Sequence, residues 1–170
     1  GDRQPARPLR GGDGAAAAVV TGQPRRGPRI VDSESFLFPD SLEAMGFDLR
    51  DSGFHIVLSK EVPQMIRERN GGLVDGFLAR HSLTRGDLQA YILHPGGQKL
   101  LHFMEQELGL CPSLTQPSWD VLRDFGNLSS ASVLFVLHQW LNQGLRPGDR
   151  GLLAGFGPGF SAEMLLLQWT

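Results

Sequence analysis

The sequence predicts an α/β fold in which a mixed β-sheet is covered by helices. Strand-like apolar runs alternate along the chain with segments whose apolar residues recur at helical spacing. The clearest transition is residues 91–97, where Tyr-Ile-Leu leads into His94, Pro95 and a Gly-Gly turn before a helical pattern. Such a junction lies at the carboxyl edge of a sheet, where open α/β folds usually place ligands. His94 is therefore a candidate functional residue, although a tight turn with an incidental histidine explains this stretch equally well.

The composition indicates a soluble globular domain. Hydrophobic residues make up 41% and charged residues 20% of the 170 residues, which excludes a disordered or coiled-coil chain. The net charge of −2 gives no reason to expect a nucleic-acid partner. A single cysteine excludes an internal disulfide framework and favours a reducing compartment. Because no apolar run approaches the roughly 18 residues that span a bilayer and the start lacks a signal-peptide pattern, we expect no membrane association and a cytoplasmic location.

The N-terminal stretch divides into a tail and the start of the domain. Residues 1–11 are rich in arginine and proline, and we expect a flexible lead-in. The domain is expected to occupy residues 12–170. Its first residues, 12–20, are small and apolar, which favours a buried strand packed closely against neighbouring backbone. Residues 21–29 are expected to form a connection.

A hairpin and a helix are predicted next. Apolar residues alternate with other residues over positions 45–50, and positions 54–58 are again strand-like. This pattern predicts a β-hairpin turning at Ser52 and Gly53. A helix is predicted from Pro63 to about His81, although an Asn-Gly-Gly sequence inside it could interrupt it.

The middle of the chain predicts a strand followed by helices. After the strand at residues 91–93, helical spacing runs from residue 98 to residue 110, with Gly109 as a stop. Pro112 and Pro117 are expected to bracket a loop before a short helix at residues 119–125.

The C-terminal part predicts one more helix and a closing hairpin. Polar residues at 127–130 can cap a helix whose apolar stripe runs from Val133 to Leu141 and stops before Gly144. A turn at residues 146–149 precedes two strands, at residues 151–156 and 160–169, joined by a sharp Gly-Pro-Gly turn. We find no internal repeat and no linker that would divide the domain.

His94 and Asn127 are the residues whose chemistry could serve catalysis. Both lie in glycine-flanked loops that precede helices. An imidazole and a carboxamide can together present two N–H donors to one oxygen, which is how an oxyanion or enolate is stabilised. The alternative for Asn127 is a helix N-cap.

The other polar candidates favour structural interpretations. His55, His81, His102 and His138 show no metal-ligand spacing, so we expect no metal site. Cys111, the one cysteine, is expected to behave as a small buried hydrophobe. Asp13 and Glu163 are single carboxylates, expected to be hydrogen-bonded structural groups. Phe54 and Phe160 could be core residues.

Three motifs together resemble the type III polyketide synthases, the chalcone and stilbene synthase family. They are His-Pro-Gly-Gly at residues 94–97, Gly-Asn-Leu-Ser-Ser-Ala at 126–131 and Gly-Phe-Gly-Pro-Gly at 155–159, in the family's order and near its spacing. Residues 12–17 and 53–63 look similar as well, so the resemblance covers roughly residues 12–170. The condensing enzymes that start fatty-acid synthesis, ketoacyl-ACP synthase III, share the histidine and asparagine but usually continue with Gln-Ala-Asn where this chain has Pro-Gly-Gly.

The resemblance implies the C-terminal half of a thiolase-like fold, whose complete form has two similar α/β halves and is a homodimer. It implies decarboxylative condensation of malonyl-CoA onto an acyl-CoA starter, with no cofactor or metal. His94 and Asn127 would hold the thioester carbonyl, and His94 would also keep a nucleophilic cysteine ionised. Phe54 would gate the acyl pocket, Ser129 would line it, and residues 155–159 would shape the cyclisation cavity. The complete set of implied substrate-binding residues is Phe54, Gly96, Gly97, Ser129, Gly155, Phe156, Gly157, Pro158 and Gly159.

The chain departs from the family in one catalytic group. The family's nucleophilic cysteine lies in the N-terminal half, which this sequence does not contain, and Cys111 does not match it. The isolated chain is therefore expected to be inactive. Two alternatives remain open: a non-catalytic binding or dimerisation fragment of a degenerate paralogue, and a condensing enzyme of fatty-acid initiation, which would depend on a carrier protein.

Overall fold

The computed structural model describes residues 11–23, 25–60 and 62–170. The strands are β1 (Pro28–Leu37), β2 (Met45–Arg50), β3 (Gly53–Leu58), β4 (Ala90–Leu93), β5 (Arg150–Gly157) and β6 (Ser161–Trp169). The α-helices are α1 (Val62–Ala79), α2 (Gln98–Leu108), α3 (Pro112–Phe125) and α4 (Ala131–Leu141), and a short 3-10 helix spans Arg85–Asp87.

Four of the strands form one mixed sheet in the order β1-β6-β5-β4. The β1–β6 and β5–β6 pairs are antiparallel, whereas β4 and β5 run parallel. The strands β2 and β3 form a separate hairpin in which Arg50 pairs with Gly53. Its turn is therefore Asp51-Ser52, one residue earlier than the sequence predicts.

Alternate side chains of the sheet face two different pairs of helices. Tyr91 and Leu93 pack in a core cluster with residues of α1 and α2, whereas Ala90 and Ile92 pack in a second cluster with residues of α3 and α4. This division follows from the pleat, which sends successive side chains to opposite faces. Because both faces are covered, β4 is a continuous apolar run with every residue fully buried.

Side chains from the helices close the outer edge of β4. The His94 N–H bonds the Ala154 oxygen of β5, so the carbonyls of Tyr91 and Leu93 face away from β5. Trp140 Nε1 donates to the Tyr91 oxygen at 3.0 Å, and Ser118 Oγ donates to the Leu93 oxygen at 2.9 Å. Each buried carbonyl thus has a partner, as buried backbone groups require.

Most of the predicted elements are confirmed. The 45–58 hairpin, the central strand, the helix that stops at Gly109 and the helix with the 133–141 stripe are all present. The helix predicted from Pro63 begins one residue earlier and continues through its Asn-Gly-Gly sequence to Ala79. The closing strands and the 146–149 turn are also present, with the Asp149 N–H bonding the Arg146 oxygen. Phe160 is a core residue, as one of the two interpretations expected.

Three predictions of secondary structure in the described residues are wrong. Residues 12–20 do not form a buried strand. They are exposed and lack regular structure, because no described strand pairs with them through backbone hydrogen bonds. The loop between Pro112 and Pro117 is helical, with Pro112 at the start of α3, where the missing N–H is harmless, and Pro117 buried inside it. The 21–29 connection ends early, since β1 begins at Pro28 and was not predicted.

Other expectations concern single residues and the tail. Glu163, expected to be hydrogen-bonded, accepts a bond from the Ser35 hydroxyl of β1. The flexible lead-in falls outside the described residues except for Gly11. Among the described residues, none of the helices is both long and apolar enough to cross a membrane.

Candidate functional site

His94 lies where β4 ends. Its main-chain N–H donates to the Ala154 oxygen at 2.9 Å, and its own oxygen accepts the Gly96 N–H at 2.9 Å. The resulting turn leads directly into α2, whose first N-terminal bond joins the Leu101 N–H to the Gly97 oxygen. A Cβ at Gly96 would stand 3.2–3.3 Å from the imidazole ring and 2.8 Å from Leu100 Cδ2. Glycine at this position therefore leaves room for the His94 ring.

Asn127 lies in the loop between α3 and α4 and meets the His94 loop. Its Nδ2 donates to the Gly96 oxygen at 3.1 Å, and its Oδ1 accepts the Ser129 N–H at 2.8 Å. The N-cap of α4 is Ser130, so the alternative that Asn127 caps this helix is wrong. A carboxamide carries two N–H groups, and one of them remains for a ligand after the bond to Gly96.

The loop that holds Asn127 is also fixed from the N-terminal segment. The Gly12 N–H donates to the main-chain oxygen of Asn127 at 2.9 Å. A Cβ at Gly12 would lie 2.1 Å from the Phe125 oxygen, so only glycine allows this approach. The sequence signalled a close backbone approach here through its small residues, but not that the contact would be to Asn127.

The third motif reaches the same end of the sheet through Gly155. This residue follows Ala154 on β5, and a Cβ there would lie 3.8 Å from His94 Cβ. Gly157 ends β5, and Gly159, with φ of 97°, turns the chain and bonds the Met45 oxygen of the β2–β3 hairpin. Phe156 stacks on the buried Phe160 with ring centroids 5.7 Å apart. The motif thus extends from His94 towards the hairpin.

Two other predicted substrate-binding residues lie on different elements. Ser129 is exposed beside Asn127 and has a left-handed backbone, with φ of 56°. Phe54 lies in β3, where its backbone pairs with Leu49. Its side chain is outside the described part of the structure, so its predicted contact with an acyl group remains a prediction.

Burial controls the protonation of His94. Burial alone lowers the pKa of the imidazole to about 4, because the charged form loses its hydration. At pH 7 the ring is therefore neutral, with one nitrogen as a donor and the other as an acceptor. The neutral ring and the Asn127 carboxamide each carry an N–H donor, and the loops that hold them are joined through Gly96.

Comparison with known families identifies the chain. Residues 29–169 match the family model of the chalcone and stilbene synthases, C-terminal domain. The chain belongs to the chalcone and stilbene synthase family. This type III polyketide synthase family has the thiolase-like fold, consistent with the mixed sheet and its helices.

Relatives in the chalcone and stilbene synthase family are about twice as long as this chain. A 1,3,6,8-tetrahydroxynaphthalene synthase from Streptomyces peucetius subsp. caesius is 40% identical, over 93% of this chain and 44% of its own length. A 3,5-dihydroxyphenylacetyl-CoA synthase from Amycolatopsis balhimycina is 38% identical over the same shares. The crystal structure of the Streptomyces coelicolor A3(2) tetrahydroxynaphthalene synthase matches with a TM-score of 0.83 and 34% identity, over 89% of this chain and 43% of that one. The chain thus spans less than half the length of these relatives.

Within this family member, Cys111 lies far from His94 and Asn127. It precedes α3 as its N-cap and follows α2 by three residues, so α2 and α3 form an antiparallel pair. The 11 residues of α2 and the 14 of α3 span about 16 and 21 Å at 1.5 Å per residue. His94 and Asn127 lie at the other end of this pair.

The environment of Cys111 also differs from the predicted one. The thiol is exposed, so the prediction of a buried hydrophobe is wrong. A side-chain hydrogen bond with Ser113 lowers the pKa of the thiol. The sequence could not reveal this exposure, because a free cysteine in a mixed segment is usually buried.

The remaining histidines have ordinary partners. The hydrogen-bonded pairs are His55 with Ser52, His81 with Asp32, His102 with Glu105 and His138 with Asn142. Within residues 11–23, 25–60 and 62–170, no cluster of three or more His, Cys, Asp or Glu side chains is placed to hold a metal ion.

Proposed function

We propose that this chain is the C-terminal half of an acyltransferase that condenses malonyl-CoA, with loss of carbon dioxide, onto an acyl-CoA starter. The observation that carries the proposal is the bond from Asn127 Nδ2 to the Gly96 oxygen, which brings the asparagine loop to the histidine turn. Membership of the chalcone and stilbene synthase family supports it.

In the proposed reaction, His94 and Asn127 bind the thioester oxygen of malonyl-CoA. The bond to the carboxylate breaks, carbon dioxide leaves, and the electron pair moves through the α-carbon to the thioester oxygen, which becomes an enolate. Two N–H donors aimed at that oxygen stabilise the charge as it develops. The enolate carbon then attacks the carbonyl of an acyl group carried as a thioester on a cysteine, and the cysteine leaves as a thiolate.

The cysteine of this scheme is proposed to come from the part of the protein that corresponds to the relatives' other half. Cys111 cannot take this role in the described geometry, since the length of α2 separates it from His94 and the length of α3 separates it from Asn127. The active form is proposed to be a homodimer in which each copy carries both halves.

Neutral His94 can serve as an N–H donor during decarboxylation. To keep the nucleophilic cysteine ionised, however, the ring must become protonated. A histidine keeps a neighbouring thiol ionised only as an imidazolium. Burial alone opposes that form, with a pKa of about 4. A thiolate within about 4–6 Å would raise the pKa of the ring again. Ion-pair formation is therefore proposed to depend on the nucleophile-bearing half.

The experiment compares the purified 170-residue chain with the protein that also carries the nucleophile-bearing half. Each is incubated with malonyl-CoA and an acyl-CoA, and acetyl-CoA from decarboxylation and condensation products are measured. We expect condensation only from the longer protein. A condensation product from the purified short chain would contradict the proposal that its nucleophile lies elsewhere.

A second candidate function is a non-catalytic binding or dimerisation module, a degenerate paralogue that pairs with a complete synthase of the family. The observation that favours it is an open cleft of about 330 Å³ between residues 16–18 and the outer face of α4. Leu141 at the end of α4 and Phe125, whose ring contacts Phe135 of the same helix, are each 46% exposed. Size-exclusion chromatography and pull-down with a complete synthase test it: a folded chain that captures the synthase supports the module, whereas a chain that binds nothing contradicts it.

A further inference from the structure

The carbonyl group of Leu93 depends on one hydroxyl. Leu93 is the last residue of β4, the edge strand of the four-stranded sheet, and its oxygen faces away from β5. Ser118 Oγ of α3 donates to that oxygen at 2.9 Å, and Ser118 is fully buried. Without this bond the buried oxygen would lose its partner, which is costly because water cannot easily replace it.

The bond joins the two polypeptide segments that carry the candidate donors. Leu93 immediately precedes His94. Ser118 lies in the helix that ends at Phe125 and leads through Gly126 into Asn127. The position of α3 along β4 therefore sets the position of Asn127 relative to His94.

A neighbouring group of hydrogen bonds joins α3 to α2 and not to β4. Glu105 of α2 accepts hydrogen bonds from Thr115 Oγ1 at 2.5 Å and from Trp119 Nε1 at 2.6 Å. On the side that faces β4, Val121 of α3 packs against Ala90 and Ile92, but such apolar packing has no preferred direction. The Ser118 bond adds the directional contact between α3 and the end of β4.

We propose that Ser118 is a positioning residue, which holds α3 against the end of β4 so that the amide of Asn127 meets the turn that carries His94. Its effect on turnover rests on the proposed function, whereas its effect on the Asn127 loop does not. Ser118 acts through Leu93 and α3 and does not touch the substrate.

The test is Ser118→Ala in the protein that carries both halves. Misplacement of a reacting group by about 1 Å can cost on the order of 100-fold in rate. We expect the kcat of malonyl-CoA decarboxylation to fall about tenfold or more, with KM little changed. Ser118→Thr, which keeps the hydroxyl, is expected to recover most of the kcat.

The matched control is Ser41→Ala. Ser41 is also a buried serine, and its Oγ donates to the main-chain oxygen of Phe38 at 2.5 Å, in the loop between β1 and β2. Both variants lose a buried hydroxyl-to-carbonyl bond, so a general loss of stability affects both. If Ser118→Ala keeps the same kcat as Ser41→Ala, the proposal is overturned.

Hydrogen–deuterium exchange separates this proposal from the proposed function. In Ser118→Ala we expect faster exchange at residues 126–132 and 94–97, and in Ser41→Ala we expect none there. If the parent protein does not decarboxylate malonyl-CoA, the proposed function fails, and unchanged exchange in Ser118→Ala would still overturn the positioning role. Should Ser118→Ala not fold, Ser118→Cys replaces it, because a thiol fills similar space but donates weakly, and the same outcomes decide.

Discussion

The amide nitrogen of Asn127 lies 3.1 Å from the main-chain oxygen of Gly96, two residues beyond His94. This contact joins loops that are 31 residues apart in sequence. It orients the carboxamide, because the Ser129 N–H simultaneously fixes its oxygen. These two hydrogen bonds, to Gly96 and from Ser129, therefore set the direction of the second amide N–H without any ligand.

Replacing this carboxamide should reduce catalysis strongly. In the protein with both halves, Asn127→Ala is expected to lower the kcat of malonyl-CoA decarboxylation by about 100- to 1000-fold, the usual cost of one oxyanion donor. Steady-state release of acetyl-CoA from malonyl-CoA measures it. The matched control is Asn142→Ala, since Asn142 Nδ2 also donates to a main-chain oxygen, that of His138, at 2.9 Å. Equal activity in the two variants would rule out the donor role.

The partly buried His94 should make stability depend on pH. Its pKa is about 4 in the folded chain, whereas about 6.5 is expected when unfolded. Between these values the unfolded state binds a proton that the folded state does not, so stability falls as the pH drops from 6.5 towards 4. We expect this group to cost about 2 kcal/mol between pH 7 and pH 5.

Urea unfolding of the parent chain and of His94→Gln at both pH values measures this contribution. Because glutamine does not titrate, the loss of stability on acidification should be smaller in the variant by that amount. An identical loss in both proteins would show that His94 is not the group responsible.

Gly12→Ala should detach the N-terminal segment from the Asn127 loop. A Cβ at Gly12 would lie 2.1 Å from the Phe125 oxygen and 2.6 Å from Leu128 Cδ2. Relief of such overlap typically costs about 1–3 kcal/mol. We expect a lower melting temperature and faster amide exchange at residue 12. Gly11→Ala is the control, because a Cβ there meets nothing within 4 Å; equal stability of the two variants would contradict the close approach.

Cys111→Ser should leave condensation intact in the protein with both halves. Serine is a favoured N-cap, so α3 should be kept or slightly stabilised. The variant should also remain as sensitive to iodoacetamide as the parent, because the alkylated nucleophile lies elsewhere. Loss of condensation in this variant, with its melting temperature unchanged, would assign the nucleophile to Cys111 instead.

The elements that the sequence predicted well are those with a local signal. The α2 helix ends at Leu108 and is capped by Gly109, whose φ of 64° suits glycine. The start of α3 was missed because Pro112 and Pro117 indicate a break locally, whereas packing of the buried Pro117 overrides that preference. The strand β1 has few buried side chains and acquires its structure from pairing with β6, a contact no local pattern encodes.

The candidate site shows the same limit. His94 and Asn127 were predicted from their glycine-flanked loops and from a family resemblance, and their roles stay predictions. Their contact through Gly96 depends on how α3 packs against β4, which the sequence does not state. Residues 12–20 were expected to be buried because they are apolar, yet Val19 is 96% exposed since no described element covers it.

The capped edge of β4 limits how copies of this sheet could polymerise. Trp140 and Ser118 occupy the carbonyls that another strand would need on that side, whereas no described strand covers the outer side of β1. A growing β-ribbon requires two free edges on every copy. In the described part of the chain, edge-to-edge addition through the four-stranded sheet would use β1 alone and would stop at a pair of copies.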